Sequence, residues 1–286
     1  MLKVVNLNKK YPSFSLKDVS FELESGYILG FIGVNGAGKS TTIKSMLNIV
    51  KADSGIIEFF GKNIDEYELE IKQNIGVSLG AFEYYPRNKL KQITLAYKRF
   101  FKNWDDAKYY SYLKKFSLDE NKRAKELSQG MKVKYSLALA LSHGAKLFIL
   151  DEPTSGLDPL AREELLDIFQ EIVSDGEHSI LFSTHVTSDL DKCADFILFI
   201  KDGKIIAHDT KDDLIEKHIL ISGKSSDFSL NIKEKVISYK LSPYKFKALA
   251  LKDKVKDLTC VEREVPNVED LMLFYNKENN DESNAL

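Results

Sequence analysis

Cysteine and long apolar runs are both scarce in this sequence of 286 residues. The two cysteines, Cys193 and Cys260, lie far apart, and neither belongs to a C-x-x-C pair or a cluster with histidine. This pattern argues against a disulfide framework and against a zinc site. No uninterrupted apolar run approaches the roughly 18–20 residues that a membrane-spanning helix needs. We therefore expect any work at a membrane to require a partner.

Net charge and arginine are also low. Lys and Arg number 41 against 43 Asp and Glu, which gives a formal charge of −2, and only five of the basic residues are Arg. A nucleic-acid-binding protein usually shows a basic surface and uses Arg for bidentate contacts to bases. We therefore expect no nucleic-acid partner. The first residues lack the basic and apolar regions of a secretory signal, which favours a cytoplasmic location.

The sequence does contain a complete phosphate-binding loop. It has the form G-x-x-x-x-G-K-S-T, follows an apolar segment at 27–32 that predicts a strand, and precedes apolar residues at 43, 46, 47 and 50 that predict a helix. Glycines let backbone N–H groups face phosphate oxygens, and a helix N-terminus favours an anion. The predicted nucleotide-binding residues are Gly33, Asn35, Gly36, Ala37, Gly38, Lys39, Ser40 and Thr41.

Within this loop, two side chains have distinct predicted tasks. Lys39 is expected to reach the β- and γ-phosphates of a nucleoside triphosphate, and the hydroxyl of Ser40 is expected to bind Mg²⁺. The alternative is a glycine-rich turn between a strand and a helix. The strand before the loop and the helix after it favour ATP-type binding over that alternative.

A second predicted strand, 147–150, ends in two carboxylates, Asp151 and Glu152. An uncompensated carboxylate at the end of an apolar strand is costly, and a cation held by Asp151 would offset that cost. Asp151 is therefore predicted to hold Mg²⁺, directly or through water. Glu152 is then placed to orient and deprotonate an attacking water. The alternative is a strand end with two solvated acids.

Three weaker signals accompany these motifs. Ser128 and Gly130 stand at a predicted helix start, where a hydroxyl and backbone N–H groups suit an anion, although an ordinary capped helix fits equally. His185 follows a predicted strand at 180–183 and is placed to donate to a γ-phosphate oxygen, unless it is structural. Tyr11 precedes the loop and is predicted to stack on adenine, unless it is a surface residue.

In this order the motifs resemble those of the ATP-binding-cassette (ABC) ATPases over about residues 2–215. By that resemblance, residues 33–41 are the Walker A loop, 127–131 the signature, 147–151 the Walker B strand, Glu152 the catalytic base, 155–158 the D-loop ending at Asp158, and His185 the switch histidine. The resemblance implies an α/β P-loop NTPase fold of the ABC cassette type. In this fold a mixed RecA-like core sheet is joined by an antiparallel β-subdomain and a helical subdomain.

The resemblance also implies a function. ATP is sandwiched between two cassettes, so the chain is expected to form a homodimer or a heterodimer with another ABC ATPase. A single cassette resembles the separate ATP-binding subunit of a transporter, working at the inner face of the membrane with a transmembrane permease subunit. The signature LSQGM and the segments at 101–105 and 266–275 resemble bacterial exporters of antibiotics and peptides. The alternative is a soluble cassette protein of DNA repair or translation.

The expected domain limits follow from composition and pattern. We expect an ATP-binding domain at 1–218 with a helical subdomain at about 82–142, a small α+β C-terminal domain at 219–275, and a disordered tail at 276–286. Eleven of the 31 aromatic residues fall within 82–116. Such a window predicts either a compact helical lobe or a docking face, and the two are compatible.

Two positions depart from the family pattern. The signature reads LSQGM where LSGGQ is usual, which keeps Ser128 and Gly130. After the predicted strand at 75–79 the family has a glutamine that senses Mg²⁺ and links the core to the helical subdomain, and Gly80 stands there. Gln73 lies before the strand and Glu83 beyond it. Glu83 is the predicted substitute.

Overall fold

Alternation of apolar and polar residues near the amino terminus produces a strand pair in the computed structural model, which describes residues 1–79, 85–259 and 261–277. β1 (Leu2–Lys10) pairs antiparallel with β2 (Ser15–Leu23), and Val4 lies opposite Phe21 on the buried face. Two further strands, β4 (Ser54–Phe59) and β5 (Lys62–Asn63), extend this sheet in the order β2-β1-β4-β5. The expected antiparallel β-subdomain is therefore present.

The core sheet is built around apolar strands, and its central strands are buried on both faces. Its strands are β3 (Ile28–Ile32), β6 (Ile75–Ser78), β7 (Leu147–Asp151), β8 (Ser179–Thr184), β9 (Phe196–Lys201) and β10 (Lys204–Thr210). They lie in the order β10-β9-β3-β8-β7-β6, and the pairs β9–β3, β3–β8, β8–β7 and β7–β6 are parallel. Continuous apolar runs are typical of parallel strands covered on both sides.

Helices alternate with these strands along the chain. They are α1 (Lys39–Met46), α2 (Ile64–Lys72), α3 (Leu90–Tyr97), α4 (Asp106–Lys115), α5 (Gln129–Ser142), α6 (Pro159–Val173) and α7 (Thr187–Cys193). Of these, α1, α5 and α6 pack against the core sheet. On one face, Ile43 of α1 shares a core with Phe31 of β3. On the other, Phe169 of α6 packs on Phe182 of β8 with ring centroids 5.7 Å apart. The fold is thus the α/β P-loop cassette that the motifs predicted, with mixed parallel and antiparallel sheets.

The helical subdomain contains a buried hydroxyl network. The Thr94 hydroxyl lies 2.8 Å from the Tyr109 hydroxyl and 2.6 Å from that of Tyr135, which donates to the Leu90 carbonyl at 2.9 Å. Burial raises the pKa of Tyr109 to about 12 and also raises the pKa of Tyr135. Part of the aromatic window therefore serves packing, while the ring of Phe100 is 75% exposed.

The chain divides into two units. One comprises residues 1–185 and 192–208, and the other residues 186–191 and the chain from Asp209 onward. The second unit therefore begins about ten residues before the boundary expected at 219. Among the residues that the structure describes, no helix is both long and apolar enough to cross a bilayer.

The second unit is an α+β arrangement with a core of its own. An antiparallel sheet in the order β12-β13-β11-β14 packs Tyr239, Phe246 and Ala248 into this core. Its elements are α8 (Lys211–Lys217), β11 (His218–Lys224), α9 (Leu230–Lys235), β12 (Val236–Leu241), β13 (Lys245–Leu251), β14 (Glu262–Glu264) and α10 (Val268–Asn276). Cys260 and most of the predicted tail, from residue 278, lie outside the described residues.

Gln73 links the core to the helical subdomain. Its side-chain amide donates to the Phe100 carbonyl at 2.7 Å and accepts from the Lys102 N–H at 3.0 Å, while its own carbonyl lies 3.1 Å from Nδ1 of His143. The Phe101 ring stacks on His143 with centroids 3.8 Å apart. We call these four contacts the Gln73–His143 joint. Gly80, which stands at the family's glutamine position, and Glu83, the predicted substitute, lie outside the described residues.

His143 is neutral in this joint. A carbonyl only accepts, so Nδ1 carries the proton, and Nε2 is buried with no partner among the described residues. Burial lowers the pKa of His143 to about 4 from an ordinary value of 6.5. Protonation would place an uncompensated charge in an apolar setting, so the folded chain resists it.

We expect this histidine to make the stability of the first unit pH-dependent. In the unfolded chain His143 binds a proton below about pH 6.5, whereas in the folded chain it does so only below about pH 4. The contribution of His143 to the free energy of unfolding should therefore fall by up to about 1.4 kcal/mol per pH unit as the pH drops through that window. Above the window this contribution should be level. Urea denaturation of wild type and His143→Phe between pH 7 and 4.5 measures this. Parallel stability–pH curves for the two proteins would contradict it.

Candidate functional site

Three adjacent strands bring the predicted site residues to one edge of the core sheet. β8 lies between β3 and β7, all three are parallel, and Ile32 is paired with Thr184 and Asp151 with Ser183. The loop that begins at Gly33 follows β3, Glu152 follows β7, and His185 follows β8. In open α/β sheets this carboxyl edge is where ligands bind.

A cavity of about 630 Å³ opens at this edge. Its volume is in the range that accommodates a nucleotide-sized ligand. The residues that line it are Ser13, Phe14, Val34, Asn35, Gly36, Gly38, Lys39, Ser40, Thr41, Glu152, Ser155 and His185. Eight of these were predicted from sequence as binding or catalytic residues.

Two glycines give the loop its path. Gly38 has φ +119° at the start of α1, and a Cβ there would lie 2.8 Å from Cδ2 of Leu16. At Gly33 a Cβ would lie 2.5 Å from the Ile200 carbonyl oxygen. Both positions therefore require glycine, the first for backbone conformation and space and the second for space alone. Gly33 itself shapes the loop without lining the cavity, and the same is true of Ala37, which is buried.

Lys39 is the buried cation of the site. Its Nζ donates to the Gly33 carbonyl at 2.7 Å, lies 3.5 Å from the Val34 carbonyl, and lies 3.4 Å from Oε1 of Glu152. The side chain is 6% exposed. A positive charge at this depth is stabilised by the carbonyl dipoles and the carboxylate around it.

Glu152 is held by both its side chain and its backbone. Oε2 lies 2.7 Å from Nδ1 of His185, opposite the contact of Oε1 with Lys39. The residue has φ +50°, a backbone conformation that is uncommon for residues other than glycine. Its N–H donates to the Ser183 hydroxyl at 2.9 Å, which anchors the strained turn.

Ser183 connects the two acids. Besides accepting from the N–H of Glu152, its hydroxyl donates to Oδ1 of Asp151 at 2.6 Å. Asp151 is half-buried at the end of β7 and does not line the cavity, so its contact with a cation stays a prediction. Ser183 was not predictable as a site residue, because a serine within an apolar strand belongs to no motif.

The aromatic residue beside the loop is not the predicted one. Tyr11 is exposed, and Nζ of Lys9 lies 5.8 Å from its ring centroid. Phe14 lines the cavity instead, because the turn closed by the Tyr11 N–H and the Phe14 carbonyl at 2.7 Å brings Phe14 and Ser13 to the loop. Two aromatic residues three positions apart were both available in the sequence, and only the turn distinguishes them.

The predicted signature and D-loop residues lie at helix starts. The Ser128 hydroxyl accepts from the Met131 N–H at 3.3 Å at the start of α5, and Asp158 accepts from the Ala161 N–H at 3.0 Å at the start of α6. A Cβ on Gly130 would lie 3.3 Å from Cδ2 of Leu157. Ser128, Gly130 and Asp158 are not among the described residues that line the cavity.

Comparison with known proteins identifies the family. Residues 16–155 match the family model described as ABC transporter. The chain is 32% identical over 223 residues to the ABC transporter ATP-binding protein YtrB of Bacillus subtilis (strain 168), covering 78% of this chain and 76% of that protein. It is 30% identical over 249 residues to the bacitracin transport ATP-binding protein BcrA of Bacillus licheniformis, covering 83% and 77%.

The chain belongs to the ABC transporter ATP-binding proteins. A solved structure titled as the ATP binding subunit of an ABC transporter agrees, with a TM-score of 0.66, 28% identity, and coverage of 75% of this chain and 91% of that one. The chemistry of this ABC protein is accordingly ATP hydrolysis. The cavity at the carboxyl edge is its candidate nucleotide site.

We expect Ser183 to position the acids of this ABC ATPase. Ser183→Ala removes the acceptor of the Glu152 N–H and the donor to Asp151, so ATP hydrolysis should fall about tenfold or more while the chain stays folded. Phosphate release and a urea denaturation curve measure the two properties. Ser179→Ala, at the other end of β8 and also buried and hydrogen-bonded, is the matched control and should alter stability without this loss of rate. Equal rates for wild type and Ser183→Ala would contradict the assignment.

Proposed function

We propose that this chain is the ATP-hydrolysing subunit of a bacterial ABC exporter that drives efflux of a peptide, antibiotic or other amphipathic compound through a separate membrane subunit. The observation that carries the proposal is the likeness to BcrA, whose name describes bacitracin transport, over 83% of this chain. ATP-binding proteins of this family pair with membrane permease components, which fits the expected location at the inner face of the membrane.

The proposed chemistry is in-line attack of water on the γ-phosphate. The loop N–H groups and Lys39 bind the β- and γ-phosphates, and Glu152 orients the water and accepts its proton. Oε2 of Glu152 lies 2.7 Å from Nδ1 of His185, and His185 is proposed to donate to a γ-phosphate oxygen. Both side chains line the same cavity as Lys39, which supports these roles.

Mg²⁺ is proposed as the cofactor, with Ser40 and Asp151 as its protein ligands. A hydroxyl and a carboxylate are the hard oxygen donors that Mg²⁺ takes alongside phosphate oxygens and water. The described residues contain no cluster of three or more His, Cys, Asp or Glu that could form an all-protein cage, which suits a cation held partly by substrate. When bound, Mg²⁺ neutralises charge that develops on the phosphate oxygens.

A second cassette, from a copy of this chain or a relative, is proposed to complete the site. Ser128 is exposed at the start of a 14-residue helix, where the N–H groups and the helix dipole favour an anion. A signature that faced the nucleotide of a partner would have these properties. Asp158, also exposed at a helix start, is proposed to lie in the same interface.

The helical subdomain is proposed as the docking face for the permease. Phe100 and Tyr110 are 75% and 57% exposed, although they flank the buried Tyr109 and the Gln73–His143 joint. Exposed rings beside a rigid packed cluster are typical of interaction surfaces. The joint would couple a movement of this face to the core, because it fixes residues 100–102 to Gln73.

We expect Phe14, and not Tyr11, to stack on the base. Phe14→Ala should weaken ATP binding about fivefold to tenfold, because an aromatic stack is worth about 1 kcal/mol. Tyr11→Ala is the matched control and should leave affinity within about twofold, since stacking energy of that size is absent there. Isothermal titration calorimetry with the isolated subunit measures both. A loss of affinity in the Tyr11 variant alone would return the role to Tyr11.

Two measurements test the exporter proposal: copurification with a membrane partner, and transport in vesicles. The tagged chain, extracted from its native membrane with mild detergent, should copurify with a multi-span membrane protein. In vesicles that contain both, Phe100→Asp and Tyr110→Asp should lower transport by about fivefold or more while phosphate release by the isolated subunit stays within about twofold. Tyr244→Asp, at an exposed ring of the second unit, is the control and should change neither. Copurification with nucleic acid or ribosomes, without a membrane protein, would favour a soluble role.

A further inference from the structure

The ammonium group of Lys39 already has oxygen atoms around it. An ammonium group has three N–H donors. Around Nζ lie three acceptors, the carbonyls of Gly33 and Val34 at 2.7 and 3.5 Å and Oε1 of Glu152 at 3.4 Å. A phosphate oxygen that binds Lys39 therefore competes with these three oxygens for its N–H groups.

Glu152 is the acceptor that a phosphate replaces best. The two carbonyls belong to the backbone of the loop, whose path depends on Gly33 and Gly38. The carboxylate is on a side chain and carries the same sign of charge as phosphate. It also keeps a partner when it leaves Lys39, because Oε2 lies 2.7 Å from Nδ1 of His185.

We propose that Glu152 and the β-phosphate of the nucleotide compete for Lys39, so that the pair restrains the catalytic carboxylate until a nucleoside di- or triphosphate displaces it. The inference rests on the proposed function of this site. Because Oε1 contacts Lys39 at 3.4 Å, occupancy of the phosphate loop is coupled to the position of the catalytic carboxylate.

The competition has a consequence for affinity. Separating Lys39 from Glu152 opposes every ligand that uses Lys39, whether or not it has a γ-phosphate. Removing the contact should therefore tighten ADP binding as well as ATP binding. AMP has no β-phosphate, so its affinity should not change.

Two substitutions of Glu152 distinguish the effect of its contact with Lys39 from the effect of its charge. Glu152→Gln keeps the shape and removes the charge. Glu152→Asp keeps the charge but is one methylene shorter, so its carboxylate no longer reaches Lys39. Aspartate also accepts a positive φ more readily than most residues, so the +50° at this position is tolerated.

The experiment is isothermal titration calorimetry of ADP, ATP and AMP on the purified chain, with and without Mg²⁺. We expect ADP affinity to rise about fivefold in both Glu152→Gln and Glu152→Asp, the size expected for a partly buried ion pair. His185→Ala is the control: it leaves the Lys39 contact in place and should not tighten ADP binding. Thermal melts confirm that each variant is folded before it is titrated.

Three outcomes overturn the inference. Unchanged ADP affinity in both Glu152 variants shows that the pair does not restrain Lys39. A rise in Glu152→Gln but not in Glu152→Asp shows long-range repulsion in place of a contact. A rise for ATP alone shows repulsion of the γ-phosphate. Failure of the wild-type chain to bind either ATP or ADP would instead overturn the proposed function, so the two failures are distinguishable.

Discussion

Parallel pairing of β3, β8 and β7 is the constraint on which the site depends. Because neighbouring parallel strands end at the same edge, the residues that follow them meet, although Lys39 lies more than one hundred positions before Glu152 in the chain. The pairing of Asp151 with Ser183 places an acid beside the hydroxyl that holds it. A shift of this register by one residue would turn each side chain to the opposite face of the sheet.

The charged groups of the site stabilise one another at this edge. Lys39 is nearly buried, and its charge is met by Glu152, which in turn contacts His185. Ser183 holds the backbone of Glu152 in a conformation that few non-glycine residues adopt. The site is therefore a connected network, in which the cation that binds phosphate and the acid that activates water are already in contact. This contact is why phosphate binding and the position of the catalytic carboxylate are linked in our proposal.

The Gln73–His143 joint is a second connected network, and it lies away from the cavity. Gln73 precedes β6 and so lies at the edge of the sheet opposite the site, where it cannot approach the nucleotide. What it does is fix the backbone of residues 100–102 and the end of α5 to the core through hydrogen bonds and a stacked ring. In this chain the connection between core and helical subdomain thus includes a glutamine on the far side of β6, separate from any sensing of Mg²⁺.

Local sequence determined those features whose physical cause is local. The phosphate loop requires glycine at fixed positions, and buried parallel strands require uninterrupted apolar runs, so the loop, the strand ends and the cassette fold were all predictable. Tertiary structure alone decided which aromatic ring faces the loop, because a four-residue turn selects Phe14 over Tyr11. It also decided the roles of Ser183 and Gln73, whose partners lie 32 and 27 positions away along the chain. Contacts between such distant residues depend on strand order and helix packing, which no single stretch of the sequence encodes.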